Sequence, residues 1–465
     1  FLSINLSLSS LPLPLSPSLS LSPPLPPPGR PFMAPSRAAA AFDPAPLRAY
    51  KYISPPRSLL EQLYLERFWE VVTLFYPRWL APNIITLVGF MFMCLAFILL
   101  LCVSPNLDGK APKWWLLVAA GCGFVYQTLD GTDGKQARRL RCGSALGEIF
   151  DHGCDAVTTT IYASFCSEIL DVGLDSTIGA LFVLHAQAAF FFSNLTLIHF
   201  ERQDIQLLDS QEMQALIQSG ALINFFAPTI MALALPIPNT MVQLLRSCIV
   251  ALPSKRNQPF EIQIRALLVI IGLATPFIHG ITTSLRILRY YRTNAYAKKA
   301  EAVIEKSEKS RPTGRGISGF LVQTGIFSVW YVTSVGVHHL LVRTKSGNLS
   351  LIAWLIVCGL GFGDLMNRTL VQRVAHTKLL NTPLDLPGMI GMVLIISLTL
   401  ARVRGTISMQ QMYIGCLGTA LSTAVLYLQY VVDIGDTICR VLNVSWFCVP
   451  PEKQEEARKR EEGKS

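Results

Sequence analysis

Four aspartates, Asp130, Asp133, Asp151 and Asp155, stand close together in a chain that is otherwise very apolar. A lone carboxylate in such surroundings costs several kcal/mol to desolvate, so the group calls for a neutralising partner. Asp130 and Asp133 lie three apart, and Asp151 and Asp155 four apart. On helices both spacings put the two side chains on one face. Four hard oxygen ligands from two facing helix ends suit Mg²⁺ or Mn²⁺, which take carboxylates, waters and substrate phosphate in preference to nitrogen or sulfur, and the set has room for two ions. Lys135, Arg138, Arg139 and Arg141 sit between the pairs. Guanidinium groups grip phosphate through two parallel hydrogen bonds, so the stretch reads as a diphosphate clamp. Gly131, Gly134, Gly143 and Gly147 each weaken a helix interior by roughly 1 kcal/mol, which suggests that backbone passes close to another helix or a ligand there.

Glu148, Asp151, His152 and Asp155 follow the i, i+3, i+4, i+7 pattern of one helical face. That face presents two metal ligands, an imidazole and a carboxylate one turn from it. A general base works best when it titrates near the operating pH, and His152 steadied by Glu148 fits that role better than an aspartate bound to metal. Packing or metal ligation by His152 is the alternative.

The spacing Asp130-x2-Asp133-Gly134-x2-Ala137-Arg138-x8-Gly147-x3-Asp151-x3-Asp155 resembles the signature of the CDP-alcohol phosphotransferases at every fixed position. The strings from Asp133 to Arg139 and from Gly147 to Asp155 resemble, more narrowly, the choline/ethanolamine branch. The likeness is strongest over 76–157 and extends as a pattern of spans to about residue 440. It implies transfer of phosphocholine or phosphoethanolamine from CDP-choline or CDP-ethanolamine to diacylglycerol, with release of CMP. It further implies His152 as proton acceptor, and Asn83, Gly134, Lys135, Gln136, Arg138 and Gly147 around the donor. A homodimer in the endoplasmic reticulum or Golgi membrane is also implied. The rival readings are a relative using inositol or glycerol phosphate, which usually has fewer spans, and a cation-coupled transporter. Transport does not require an arginine-rich loop between two aspartate pairs.

The elements that must position these residues follow from composition. With 465 residues, 51% hydrophobic and 15% charged, the chain is far more apolar than a soluble enzyme needs to be, and reads as an all-α polytopic membrane bundle. At about 17 to 25 mainly apolar residues per span, spans are expected near 84–104, 114–132, 148–170, 177–199, 214–236, 265–287, 317–341, 349–367, 385–402 and 411–434. Residues 58–76 alternate apolar and charged groups at helical spacing and are too charged to cross, so an interfacial amphipathic helix is expected there. The net charge of +10 is scattered between apolar runs and speaks for membrane orientation and an anionic substrate, not nucleic acid. Basic residues before span one, between spans two and three, and between spans six and seven (286–315) put the aspartate site on the cytosolic side.

The plan is therefore a low-complexity 1–45 region, whose Leu/Ser/Pro run reads as disordered or translated upstream sequence, an interfacial segment at 46–80, a membrane domain at 81–440 and a polar cytosolic tail at 441–465. The eleven cysteines lack metal-ligand spacing and read as small buried hydrophobes. His185, His199, His279, His338, His339 and Asp364 read as hydrogen-bonded groups inside the bundle. Tyr76, Trp79, Trp114, Trp115 and Tyr126 are candidates for an aromatic cage around a quaternary ammonium, or for interfacial anchors.

Overall fold

A computed structural model describes residues 44–50, 57–200, 210–236, 261–293, 316–375 and 386–463. The low-complexity 1–32 run and most of the basic 286–315 loop lie outside the described residues. Helix α1 (Pro44–Ala49) is followed by a π-helical turn, Glu61–Leu65, that runs into α2 (Glu66–Leu74). Leu59, Leu63, Tyr64, Val71, Leu74 and Phe75 are exposed, whereas Leu65, Trp69 and Thr73 are buried against the bundle. The expected amphipathic helix is present, with a large apolar surface left for an interface.

The bundle consists of α3 (Pro82–Val103), α4 (Lys113–Leu140), α5 (Ala145–Ile169), α6 (Thr177–Phe200), α7 (Ser210–Phe226), the single turn α8 (Pro228–Met231), α9 (Ile264–Thr293), α10 (Gly316–Arg343), α11 (Asn348–Ala375), α12 (Pro387–Val403) and α13 (Met409–Leu442). Helix α14 (Pro451–Glu461) follows it. Every expected span overlaps a helix. Among the described residues six are long and apolar enough to cross a membrane by length and composition, namely α3, α6, α9, α10, α11 and α13, while α12 is a shorter apolar helix. Within these six, 83% of the apolar window of α11 is enclosed, against 6% for α9. Helix α11 is thus the axis of the bundle, and α9 lies at its rim.

The expected 214–236 span is not continuous. Helix α7 ends at Phe226 because Pro228 disfavours helical geometry at the residue before it, and Ala227 sits at φ −141°, ψ 60°. The remainder ends in a short strand, β1 (Ala234–Pro236), which pairs antiparallel with β2 (Glu261–Gln263), Ala234 opposite Gln263. Helices α11 and α12 cross where Gly361 meets Gly388; a Cβ on Gly361 would stand 2.8 Å from the Gly388 Cα. Small residues let helix backbones approach this closely in lipid, where no hydrophobic drive separates helix from solvent.

The site depends on the turn between α4 and α5. Arg141 adopts the left-handed conformation (φ 51°, ψ 40°) and ends α4, and Ser144 caps α5 by accepting from the Gly147 N–H at 3.3 Å. Asp130 precedes the last residue of α4 by ten positions, and Asp155 follows the first residue of α5 by ten. At 1.5 Å per residue both lie about 15 Å from the turn, at one level of the hairpin.

Candidate active site

A cavity of about 2190 Å³ is lined by α4 and α5 together with residues of α2, α3, α6, α7 and α9. Asp130, Asp133, Asp151 and Asp155 all line it. Asp130, Asp151 and Asp155 converge, each offering an oxygen within 4.8 Å of the others. Asp133 stands just outside this trio, buried, and accepts a hydrogen bond from the Thr86 hydroxyl. Gln211 donates to Asp130 at 3.4 Å, and the Tyr126 hydroxyl donates to Asp155. Asp151 Oδ1 is buried without a hydrogen-bond partner. A buried carboxylate oxygen costs free energy unless something satisfies it, and an all-oxygen set of anionic donors is what Mg²⁺ or Mn²⁺ requires. The residues therefore fit a divalent ion.

The wall beside the aspartates comes from the interfacial helix. A Cβ at Gly131 would collide with the Trp69 indole, so this glycine is what admits the ring. Trp69 is 4% exposed. Lys135 pairs with Glu66 at 3.7 Å and Glu70 at 3.5 Å, which ties α2 to α4. The basic stretch, which the structure places on the last turns of α4, divides by role. Arg139 lines the cavity too, and donates to the carbonyls of Thr73 (2.9 Å) and Tyr76 (2.8 Å) and to Glu461 of α14 (2.7 Å), so it also acts as a strut. Arg138 and Arg141 are exposed and line the cavity.

The remaining expected donor residues also divide. Gly134, Gly147 and Asn83 line the cavity; Asn83 donates to the Trp446 carbonyl at 3.0 Å. Gln136 is a correction. It is fully buried, does not line the cavity, and donates to the carbonyls of Pro77 and Leu80, both at 3.1 Å. Its amide caps the turn before α3 and has no free donor to turn towards a nucleotide.

His152 lines the cavity as expected, but Glu148 is not the group that holds it. The Glu148 carboxylate accepts from the Tyr50 hydroxyl at 2.6 Å and pairs with Arg373 near the end of α11. The imidazole Nδ1 instead lies 3.0 Å from Oδ1 of Asn194 on α6. The sequence pattern set Glu148 and His152 one turn apart on α5, which holds, but Tyr50 and Arg373 take up Glu148 and Asn194 takes up His152. Asn194, Tyr50, Gln211 and Arg373 carry no local signal around the aspartates. Asn194 had one of its own, a buried amide in an apolar helix.

The aromatic cage is also corrected. Trp115 is fully buried against Phe165, ring centres 5.0 Å apart, and lies fifteen residues, roughly 22 Å along the helix, from Asp130. Of the five candidates only Tyr126 lines the cavity. The histidines of the bundle behave as expected at three positions: His185 meets the Leu181 carbonyl at 2.8 Å, His199 lies between Tyr291 and Gln323, and His338 meets the Leu174 carbonyl at 2.8 Å.

The cavity continues beyond the charges. It is lined along α5 from Gly147 to Ile169, a rise of about 33 Å, and its far part by Tyr162, Cys166 and Ile169 of α5, Phe182 of α6, Ile217 of α7 and Ile271 of α9. One end thus presents carboxylates and arginines and the other apolar side chains. That arrangement can hold an anionic, metal-binding head and a long apolar tail in one space.

Comparison with known proteins bears on the same stretch. Residues 79–245 match the family model described as CDP-alcohol phosphatidyltransferase. A Dictyostelium discoideum protein described as an uncharacterized CDP-alcohol phosphatidyltransferase class-I family protein is 35% identical over 177 residues, 38% of this chain and 46% of the relative. Choline/ethanolaminephosphotransferase 1 of Saccharomyces cerevisiae is 43% identical over 115 residues, 25% and 29% of the two chains. Cholinephosphotransferase 1 of Gallus gallus is 43% identical over 129 residues, 27% and 38%. The matches span less than half the length of each of these relatives.

Proposed function

We propose, taking as premise the match of residues 79–245 to the CDP-alcohol phosphatidyltransferase family, that this chain transfers phosphocholine or phosphoethanolamine from a CDP-alcohol to diacylglycerol. The observation that carries the reading is the single cavity with a carboxylate and arginine end joined to an apolar end along α5. A water-soluble diphosphate and a two-chain lipid must meet somewhere, and this space offers surfaces suited to both.

Mg²⁺ or Mn²⁺ held by Asp130, Asp151 and Asp155, with Asp133 beside them, would supply charge neutralisation for the diphosphate and for the departing CMP. Arg138 and Arg141 bind donor phosphate oxygens at the cavity mouth. Gly134 and Gly147 leave room for the donor, and Asn83 lies against it. His152 accepts the proton of the diacylglycerol hydroxyl as that oxygen bonds to phosphorus and the bond from phosphorus to CMP breaks. The apolar end along Tyr162, Phe182 and Ile271 orients the acyl chains, which sets the hydroxyl at the charged end. Residence in the endoplasmic reticulum or Golgi membrane and a homodimer accompany this reading through the family resemblance, and a cytosol-facing site through the distribution of basic residues.

The test is purified protein in proteoliposomes with radiolabelled CDP-choline or CDP-ethanolamine, diacylglycerol and Mg²⁺. Labelled phospholipid and an equal amount of CMP are expected, and competition between the two donors gives the head-group preference. Cation flux without a lipid product would overturn the reading in favour of transport.

A further inference from the structure

We infer that Asn194 is a positioning residue that fixes the hydrogen-bonding direction of His152, holding its proton on Nδ1 and leaving Nε2 as the accepting nitrogen. The inference rests on the reading of His152 as the base.

Asn194 lies on α6 and is fully buried. Its Nδ2 donates to the Phe190 carbonyl one turn earlier at 2.9 Å. A carbonyl only accepts, so this bond sets which end of the amide is nitrogen and which is oxygen. The oxygen that remains, Oδ1, lies 3.0 Å from His152 Nδ1. Oδ1 is an acceptor, and a neutral imidazole carries one N–H, so the N–H is on Nδ1. The ring is braced by Phe190, whose centre lies 6.4 Å away. The carboxylate that sequence spacing offers for this task is committed elsewhere, to Tyr50 and Arg373. A neutral amide serves differently from a carboxylate: it fixes the direction of the ring without adding a negative charge beside the aspartates.

Removal of the acceptor lets the N–H move to Nε2 or turn away, and the nitrogen facing the reaction then carries a proton. Asn194→Leu, similar in volume, should therefore lower kcat by about 10-fold to 10³-fold, within the range for loss of a general base, with KM for the CDP-alcohol and the Mg²⁺ dependence nearly unchanged. The decisive measurement is a double-mutant cycle: in a His152→Ala background, Asn194→Leu should have no further effect on kcat. Should Asn194→Leu fail to fold, judged by its thermal unfolding and retention of CDP-alcohol binding, the cycle runs with Asn194→Ser. Unchanged kcat in the folded Asn194 variant, or a loss that persists in full in the His152→Ala background, overturns the inference and leaves the base reading standing. A His152→Ala enzyme with wild-type kcat overturns the base reading first, and this inference with it.

Discussion

The pair formed by Glu148 and Arg373 gives the sharpest test of how the site is assembled. The side chains are 4% and 11% exposed, and they join α5, which carries two of the aspartates, to the end of α11. Breaking a buried ion pair by removing one partner costs about 3–5 kcal/mol, because the remaining charge stays desolvated. Arg373→Met leaves the Glu148 carboxylate with the Tyr50 hydroxyl and should cost that amount, roughly a hundredfold to a few thousandfold in the unfolding equilibrium. Glu148→Gln should cost less, since the glutamine oxygen can still accept from both Tyr50 and Arg373. The double variant Glu148→Gln with Arg373→Met removes both charges and should be more stable than Arg373→Met alone, by about 2 kcal/mol. Unfolding in mixed micelles titrated with denaturing detergent, followed by tryptophan fluorescence, measures all four corners of the cycle. Losses that add to within about 0.5 kcal/mol would show no coupling. Glu148 would then be free to serve His152, and the assignment made from the structure would be wrong.

Three further outcomes follow from named contacts. Asp151→Asn and Asp155→Asn should abolish turnover with the protein still folded, chelation should do the same reversibly, and Asp133→Ala should retain less than a tenth of wild-type activity; a larger residue of activity in Asp133→Ala would remove it from the metal set. Glu461 on α14 is held below the usual carboxylate range by its hydrogen bonds from Arg139 and then Arg78. Its docking contribution is accordingly full above the unfolded value near pH 4.3 and fades as pH falls through the lowered folded value. A spin label at position 452 should gain mobility as pH falls from about 5 to 3, whereas in Glu461→Gln it should be mobile already at neutral pH; a transition that survives in that variant has another origin. Finally, in a cysteine-free background, Lys345→Cys and Glu452→Cys lie at opposite ends of the bundle and should react with impermeant maleimide from opposite faces of sealed vesicles; equal labelling from one face would mean a miscounted span.

The bundle was legible in the chain because apolar runs of spanning length are a one-dimensional signal. So were the four aspartates and His152, whose spacing is local to one helical hairpin. The 214–236 segment was misread because hydropathy outweighed a proline at 228. The partners of the site were not legible, for a physical reason: Thr86, Asn194, Gln211 and Arg373 reach it from four different helices, and spacing along α4 and α5 says nothing about them. Glu148 shows the error this invites. An i, i+4 pair states that two side chains share a face, but which of them bond is decided by what other helices bring to that face. Gln136 stands inside the most recognisable string of the sequence, yet it braces a turn. A motif records that a residue type is needed, not whether the ligand or the fold needs it.

The fit of Trp69 against Gly131 has its parallel at Gly153, where a Cβ would stand 2.6 Å from Asn367 Oδ1, and at Gly361 against Gly388 and Trp330. Each is a lock between helices in which one side is a hydrogen atom and the other fills the space it leaves. A larger residue at the glycine first requires a smaller one opposite, and that first change alone leaves a void costing several kcal/mol for a tryptophan. Every one-step route between two workable pairs thus passes through a weakened protein. Variation at these positions is confined to paired replacements, so the walls of the site and the central helix crossing should drift far more slowly than the lipid-facing surface a few residues away.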